Sequence, residues 1–384
     1  MPPSRQPRSI LRTLGEWILV IAFTLLLGEG VARIAGVRPL TAADNLWRPH
    51  PRWGWHHEPN STDYFVKTDF TQEIHINSHG LREREIPYEK PAGKLRILVI
   101  GDSAVAGFEV PPEDCFTRVL ERVLTERGLD VEVINAGVRG WGTDQSLLFL
   151  EDEGLRYQPD LVMYRWNPND IQDNATVHRP FRRFAKPWFV PTTDGAVEPR
   201  GIPVPAYAYR QNLRVGEDGS PVELPVPLRN QIVLWFRDVF VCRSAFASWM
   251  TGLAIRADSL GKSMSAASSY NDAGDVSDAP DPSSEVFRAT VGMLREMDRV
   301  TRAAGARLVV AGSVLGGSEV RRAAGLPDLD DVARLQARIK PGDETTVPHD
   351  GHFNRLGHRL YGEAMAEALI AGGWVTVPSA TAAH

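Results

Sequence analysis

Cysteine is scarce: Cys115 and Cys242 are the only two in 384 residues, so at most one disulfide can form. Both serve equally well as buried apolar residues. Excess basic charge is missing too. The 43 lysines and arginines face 48 aspartates and glutamates, a formal net charge of -5 that gives no electrostatic case for nucleic acid. No internal repeat is present. At 43% hydrophobic and 24% charged residues, the composition excludes disordered and collagen-like chains. A chain of this length and make-up buries one large core and has room for a smaller appendage.

Long apolar runs are also lacking, with one exception near the start. Arg5, Arg8 and Arg12 precede an uninterrupted apolar run from Trp17 to Gly28, bracketed by Glu16 and Glu29. Basic-then-apolar is the layout of a secretion signal or a membrane anchor, with the basic end held in the cytoplasm. The run is shorter than the roughly 20 residues a spanning helix needs. Extending it to Leu14–Ala35 takes in Glu16, Glu29 and Arg33; the last two lie one helical turn apart and can pair. We expect a cytoplasmic tail over 1–13 and an anchor over 14–36. The alternatives are a signal cleaved near Gly30-Val31-Ala32 and a buried soluble helix. Anchor and signal both place the remaining chain outside the cytoplasm: single-pass in the first case, secreted or periplasmic in the second.

Residues 37–93 read as a polar, aromatic lead-in with a short strand over Thr71–Asn77 and a turn at Ser78-His79-Gly80. Pro91-Ala92-Gly93 punctuates the boundary with the main domain. There, over 94–177 and 284–378, strand and helix patterns alternate. Strands are expected at Leu95–Ile100, Val131–Ile134, Asp160–Trp166 and Arg307–Ala311. Helices are expected at Phe116–Arg127, from a Thr143 cap to about Gly154, at Glu285–Ala304 and at Phe353–Ile370, with Trp374–Val377 as an edge strand. Such alternation implies a three-layer α/β/α sandwich with a mostly parallel central sheet of flavodoxin-like type. The segment 178–283 breaks the pattern as an irregular insertion or cap. It carries a hairpin-like flap, an amphipathic helix over Asn230–Ala254 and a flexible loop over 258–284. Trp188 and the aromatic face of that helix are expected to cover the site.

The chemistry begins at Gly101-Asp102-Ser103, directly after the first strand. Ligands and reacting groups collect at the carboxyl edge of open α/β sheets. A glycine there permits a sharp turn that lifts the serine out of the packed layer. Gly-Asp-Ser also makes an ordinary turn and helix cap, so its weight depends on companions. A hydrolytic serine needs a base, an orienter for that base and donors for the oxyanion. His349-Asp350-Gly351-His352, before the last helix, reads either as a base, His352, with Asp350 as its orienter, or as a solvated turn ahead of a helix capped by Asn354. The same residues are good metal ligands, but no second ligand cluster accompanies them, and neither metal nor cofactor is expected. Asn135-Ala136-Gly137-Val138-Arg139-Gly140 follows the second strand, and Asn167-Pro168-Asn169-Asp170 the third. Each serves as an oxyanion loop or as a plain turn and cap. A phosphate-binding loop is excluded, because Phe108-Glu109 stands where Lys-Ser/Thr is required.

Four such blocks in this order resemble the SGNH (GDSL-type) hydrolases. The resemblance implies Ser103 as nucleophile and His352 with Asp350 as base and partner. The oxyanion hole would then comprise the Ser103 N–H, Gly140 and Asn169, with Asp102, Asn135, Asp170 and His349 in supporting places. It covers roughly 94–177 and 284–375. The anchor, with Asn77-Ser78-His79-Gly80-Leu81-Arg82, looks like membrane-anchored bacterial members. Two departures stand out. Asn167 takes the place of a usual glycine, and His349 that of the usual aspartate three residues before the histidine. Asp350, two before, has the spacing of bacterial polysaccharide acetylation proteins; Asp343 and Glu344 are the other carboxylates within reach. The expected activity is ester hydrolysis on a small-molecule or glycan ester. An O-acyltransferase of envelope polysaccharide and an idle, tethered glycan-binding protein are the alternatives.

Overall fold

The computed structural model describes residues 10–41, 43–257, 281–312 and 317–378. Its central sheet holds four strands in the order Arg307–Ala311, Leu161–Arg165, Leu95–Gly101, Val131–Gly137, every pair parallel. The strand order therefore reverses between Leu95–Gly101 and Leu161–Arg165, which opens a crevice at their carboxyl ends. Ser103 and Asn167 leave the sheet on either side of it.

The strand sequences run continuously apolar because both faces of the sheet are covered. Leu98, Ile100, Val162 and Val310 pack against Leu147 and Phe149 of helix Thr143–Asp152 and Met293 and Met297 of helix Glu285–Ala303. Ile97, Val99, Met163 and Val309 face the opposite way, onto Leu120 and Leu124 of Phe116–Glu126 and Met365 and Leu369 of Arg355–Ala371. The result is the expected three-layer α/β/α sandwich. Each such side chain, fully buried, contributes about 1.5–3 kcal/mol. Two of these helices start on side-chain caps: Ser284 accepts from the Phe287 N–H and Asn354 from the Gly357 N–H.

Some expectations are corrected. Trp374–Val377 forms no strand; the N–H groups of Trp374 and Val375 fold back onto the Leu369 carbonyl at 2.9 and 3.3 Å and finish the last helix. Thr143 is the first helical residue rather than the cap, and its hydroxyl lies 2.9 Å from the Tyr164 hydroxyl. Both cysteines are free thiols. Of the loop expected over 258–284, residues 258–280 lie outside the described residues.

The N-terminal helix spans Ile10–Ile34, 25 residues, long and apolar enough to cross a membrane. Arg33 Nε donates to Glu29 at 2.6 Å, as the spacing predicts. The lead-in forms two antiparallel hairpins, Trp47–His50 with Gly54–His57 and Thr62–Val66 with Thr71–His75. It is no passive linker, because Phe65 and Ile74 bury against Ala106 and Phe108, just past the Gly-Asp-Ser turn. In the insertion, Trp188–Pro191 and Val197–Arg200 make the expected hairpin. The helix expected over 230–254 is divided. Leu228–Phe236 passes through a π-helical turn, Arg237–Val241, and Ala245–Arg256 restarts on a Ser244 cap. The second of these helices, Ala245–Arg256, runs beside the N-terminal helix. Trp188 is buried in the insertion's own small core, its Nε1 donating to the Gly219 carbonyl at 2.9 Å.

Gly137 closes the second strand where a Cβ would stand 2.4 Å from the Ala106 nitrogen and 2.5 Å from Val105 Cβ. Gly137→Ala should destabilise the fold by about 1–3 kcal/mol through overpacking. A circular-dichroism melt reads this as a lowered Tm; an unchanged Tm contradicts the packing described.

Candidate active site

Gly101, Gly137 and Arg165 are paired across three neighbouring strands, so the loops that follow them leave the sheet at one level. Gly101 has φ +152°, and a Cβ on it would press on Val105 Cγ2 and the Arg165 carbonyl. Asp102 caps the short turn of helix Ser103–Ala106, its Oδ1 accepting from the Ala104 N–H at 2.9 Å. From the lead-in, the buried Arg82 guanidinium donates to the Ala106, Gly107 and Val110 carbonyls at 2.9, 2.5 and 2.5 Å. These carbonyls end the helical turn, so a charge from outside the sheet domain holds the serine's backbone in place.

His352 arrives on the loop before the last helix. Its Nε2 lies 2.8 Å from Ser103 Oγ, and its Nδ1 hydrogen-bonds Asp350 Oδ1. A carboxylate on Nδ1 fixes the proton there, which leaves the Nε2 lone pair facing the hydroxyl. Ser103 Oγ also sits 3.4 Å from Asp102 Oδ2, too long to compete with the imidazole. Burial pushes the Asp350 carboxyl up. The hydrogen bond and charge of His352, with Arg139 and Lys67 nearby, outweigh that and hold it below the usual carboxylate range. A second carboxylate stands behind the ring: Glu109 Oε1 is 3.7 Å from Nδ1 and accepts from Arg139 Nη1 at 2.6 Å.

Three donors lie on the loops that leave the sheet at this edge. Among the described residues, the backbone N–H groups of Ser103 and Gly140 make no hydrogen bond. Gly140 has φ +79°, a left-handed conformation that suits glycine. Its loop is fixed by Trp55 Nε1, which donates to the Arg139 carbonyl at 3.2 Å. The Asn169 amide gives one N–H to Asp173 Oδ2 at 2.6 Å and makes only a long 3.4 Å contact to Asp102 Oδ2.

The remaining expected residues have structural duties. Asn135 ties the second strand to the Ser103 turn, donating to the Val105 carbonyl at 2.8 Å and accepting from the Gly137 N–H at 3.0 Å. Asp170 shapes the third loop, accepting from the Asn167 N–H and the Tyr164 hydroxyl, each at 2.8 Å. Burial and the Asp102 charge push its carboxyl well above the usual range. His349 turns away, with φ 57° and its Nδ1 3.1 Å from Asp69 Oδ2. Asp343 accepts the Lys340 N–H at 2.8 Å, and Glu344 is exposed, so Asp350 alone of the nearby carboxylates within the loop reaches the imidazole.

Several contributors were missed in the sequence. Asn167 Nδ2 donates to Asp102 Oδ2 at 2.6 Å, so the residue in the usual glycine's place steadies the neighbour of Ser103. Asp173 anchors Asn169; its position four residues on, one helical turn away, was the available signal. Glu109 and Arg139 carried none, since their partnership spans 30 residues. Glu109, Asp350 and His352 place one ligand atom each within 4.8 Å of one another, a set able to hold an ion. The Arg139 charge on Glu109 opposes a cation there.

No family model matches the chain. An arylesterase of Vibrio mimicus is 37% identical over 75 residues, 20% of this chain and 38% of that relative's length. Among solved structures, the psychrotrophic esterase EstA of a Pseudoalteromonas species is 12% identical, with TM-score 0.34, covering 73% of this chain and 97% of that one. A lipase/acylhydrolase of Enterococcus faecalis is 17% identical, with TM-score 0.32, covering 74% and 100%. The chain resembles the SGNH/GDSL-type esterases.

The opposing influences on Asp350 can be separated. In His352→Ala the burial stays and the ring's hydrogen bond and charge go, so the carboxyl should titrate higher than in the intact protein. Carboxyl carbon shifts followed against pH read this. Because the folded value is depressed, the pair's stabilisation is present above the ordinary pKa of about 3.9 and fades as pH falls through the folded value. An Asp350 titration unmoved by the substitution contradicts the assignment.

Proposed function

We infer that this protein is a serine hydrolase of ester bonds, working through an acyl-enzyme on Ser103. The observation that carries the reading is the unbroken chain from Ser103 Oγ through the His352 ring to Asp350. As Oγ attacks the ester carbonyl, its proton passes to His352 Nε2, and Asp350 steadies the imidazolium that forms. Charge moves onto the carbonyl oxygen, which the Ser103 N–H, the Gly140 N–H and the Asn169 amide receive. The imidazolium returns the proton to the departing alkoxide. Water then attacks the acyl group, with the same nitrogen as base, and Oγ leaves with its proton restored.

The substrate class is an O-acyl ester of an extracytoplasmic glycan, lipid or metabolite. The basic-then-apolar N-terminus supports this setting, with Ile10–Ile34 as a single-pass anchor and the sheet domain outside the cytoplasm. Transfer to a sugar hydroxyl in place of water is the second reading, favoured by the two-residue spacing from Asp350 to His352. The catalytically idle reading loses its support, since Asp350 fills the place that His349 leaves empty.

A phosphonate probe for serine esterases should label Ser103, and Ser103→Ala should abolish both labelling and hydrolysis of short-chain esters. Asn169→Ala should keep labelling but lower kcat by about 10²–10³, the usual cost of one oxyanion donor. Full ester turnover by purified Ser103→Ala sinks the reading. Adding sugar acceptors and measuring acyl transfer against free acid separates transferase from hydrolase.

A further inference from the structure

The N-terminal helix does not stand apart from the rest of the chain. Glu29, near its carboxyl end, receives the Ser244 hydroxyl at 2.7 Å and the N–H groups of Ala245 and Phe246 at 3.2 and 3.0 Å. One carboxylate thus caps the start of helix Ala245–Arg256, satisfying donors that the first turn cannot pair internally. Phe246 packs against Gly28, where even a Cβ would lie 2.9 Å from its ring. Leu40, just past the N-terminal helix, donates its N–H to Ser248 Oγ at 2.8 Å. Helix Ala245–Arg256 is therefore fixed to one end of the apolar helix, and Leu228–Phe236 is joined to it through the π-helical turn.

That pair presents an apolar face to its surroundings. Ile232, Trp235, Phe236 and Phe240 recur at helical spacing and are each 44–57% exposed, and Trp249 and Met250 extend the patch. Monomeric soluble proteins rarely expose a contiguous aromatic patch of this kind without an interaction to make. Residues 228–256 also carry four arginines against a single aspartate. Depth decides what covers the patch. A 25-residue helix is about 37 Å long, so its last turns emerge from a hydrocarbon core of about 30 Å. Glu29 and the helices docked on it then stand at the level where tryptophan rings and arginines settle between lipid tails and headgroups.

Resting on the anchor reading above, we propose that the helical pair Leu228–Arg256 is a membrane-interface element: its exposed aromatic face lies in the headgroup region of the bilayer that the N-terminal helix spans. Arg256 Nη2 donates to the Thr68 carbonyl at 2.6 Å, and the neighbouring Asp69 holds His349, so the same element is tied to the catalytic loop. The bilayer then fixes the attitude of the sheet domain, and not only its address.

The test uses the full chain in phosphatidylcholine–phosphatidylglycerol vesicles, in a Cys242→Ser background with Cys115 buried. A polarity-sensitive fluorophore is attached at Phe236→Cys or Met250→Cys, with Leu19→Cys reporting the anchor and Arg302→Cys a remote surface. Labels at 236 and 250 should emit blue-shifted and lose emission to lipids spin-labelled near the headgroup, while the label at 302 does neither. Water-like, unquenched emission at 236 and 250, beside a label at 19 quenched by lipids spin-labelled deep in the acyl chains, overturns the proposal and leaves the anchor standing. Labels shielded from water but untouched by spin-labelled lipid place a second copy on this face and overturn it as well. An unquenched label at 19 removes the anchor reading itself.

Discussion

A hydroxyl and an imidazole 249 residues apart meet at 2.8 Å, and the rest of the architecture answers to that contact. It exists because parallel strands end at one level, so every loop after a strand starts at the same rim of the sheet. A register slip of one residue in Leu95–Gly101 would turn each buried side chain to the opposite face. Burial on both faces therefore fixes the serine's height as firmly as any bond within the site. The sandwich acts as a clamp whose jaws are apolar and whose gap is the crevice at the strand reversal.

Around that contact, charge is arranged in nested layers. Asp102 accepts from the Ala104 N–H on one oxygen and from the Asn167 amide on the other, so it holds the serine turn and the third loop together. Asp173 does the same one shell further out for Asn169. Arg82 and Arg139 bring positive charge to the opposite flank, one onto backbone carbonyls and one onto Glu109. Buried ionic groups are expensive unless each is met by well-placed partners. Here the partners come from segments far apart in the chain, and the lead-in supplies one of them.

The sheet was legible because its pattern is local. Continuous apolar runs such as Leu95–Ile100 separated by amphipathic helices announce a covered parallel sheet, and the four strands begin within a residue of their expected starts, although the second runs on through Gly137 into the segment expected as loop. Ser103 and His352 were legible because a strand-end serine and a histidine before the last helix are marked by their immediate neighbours. Asn167, Glu109 and Arg139 were not, since their meaning comes from partners that only folding supplies. The tail of the domain misled for a related reason: Trp374-Val375 has strand-like residues, but the Leu369 carbonyl captures both N–H groups first. The aromatic helix of the insertion was legible in part, since its apolar pattern does not announce the π-helical turn that divides it. Its amphipathic pattern states that one face meets something apolar, and is silent on whether that is the active site or another surface.

The capping of Ala245–Arg256 by Glu29 has a practical corollary for handling this protein. A shortened version starting beyond residue 36 keeps Ser103, His352 and Asp350, yet forfeits the carboxylate that closes the first turn of that helix and bares Phe246. Trimming the greasy segment for convenience in purification would thus trade one sticky surface for another, and detergent would still be needed to keep such a truncation dispersed.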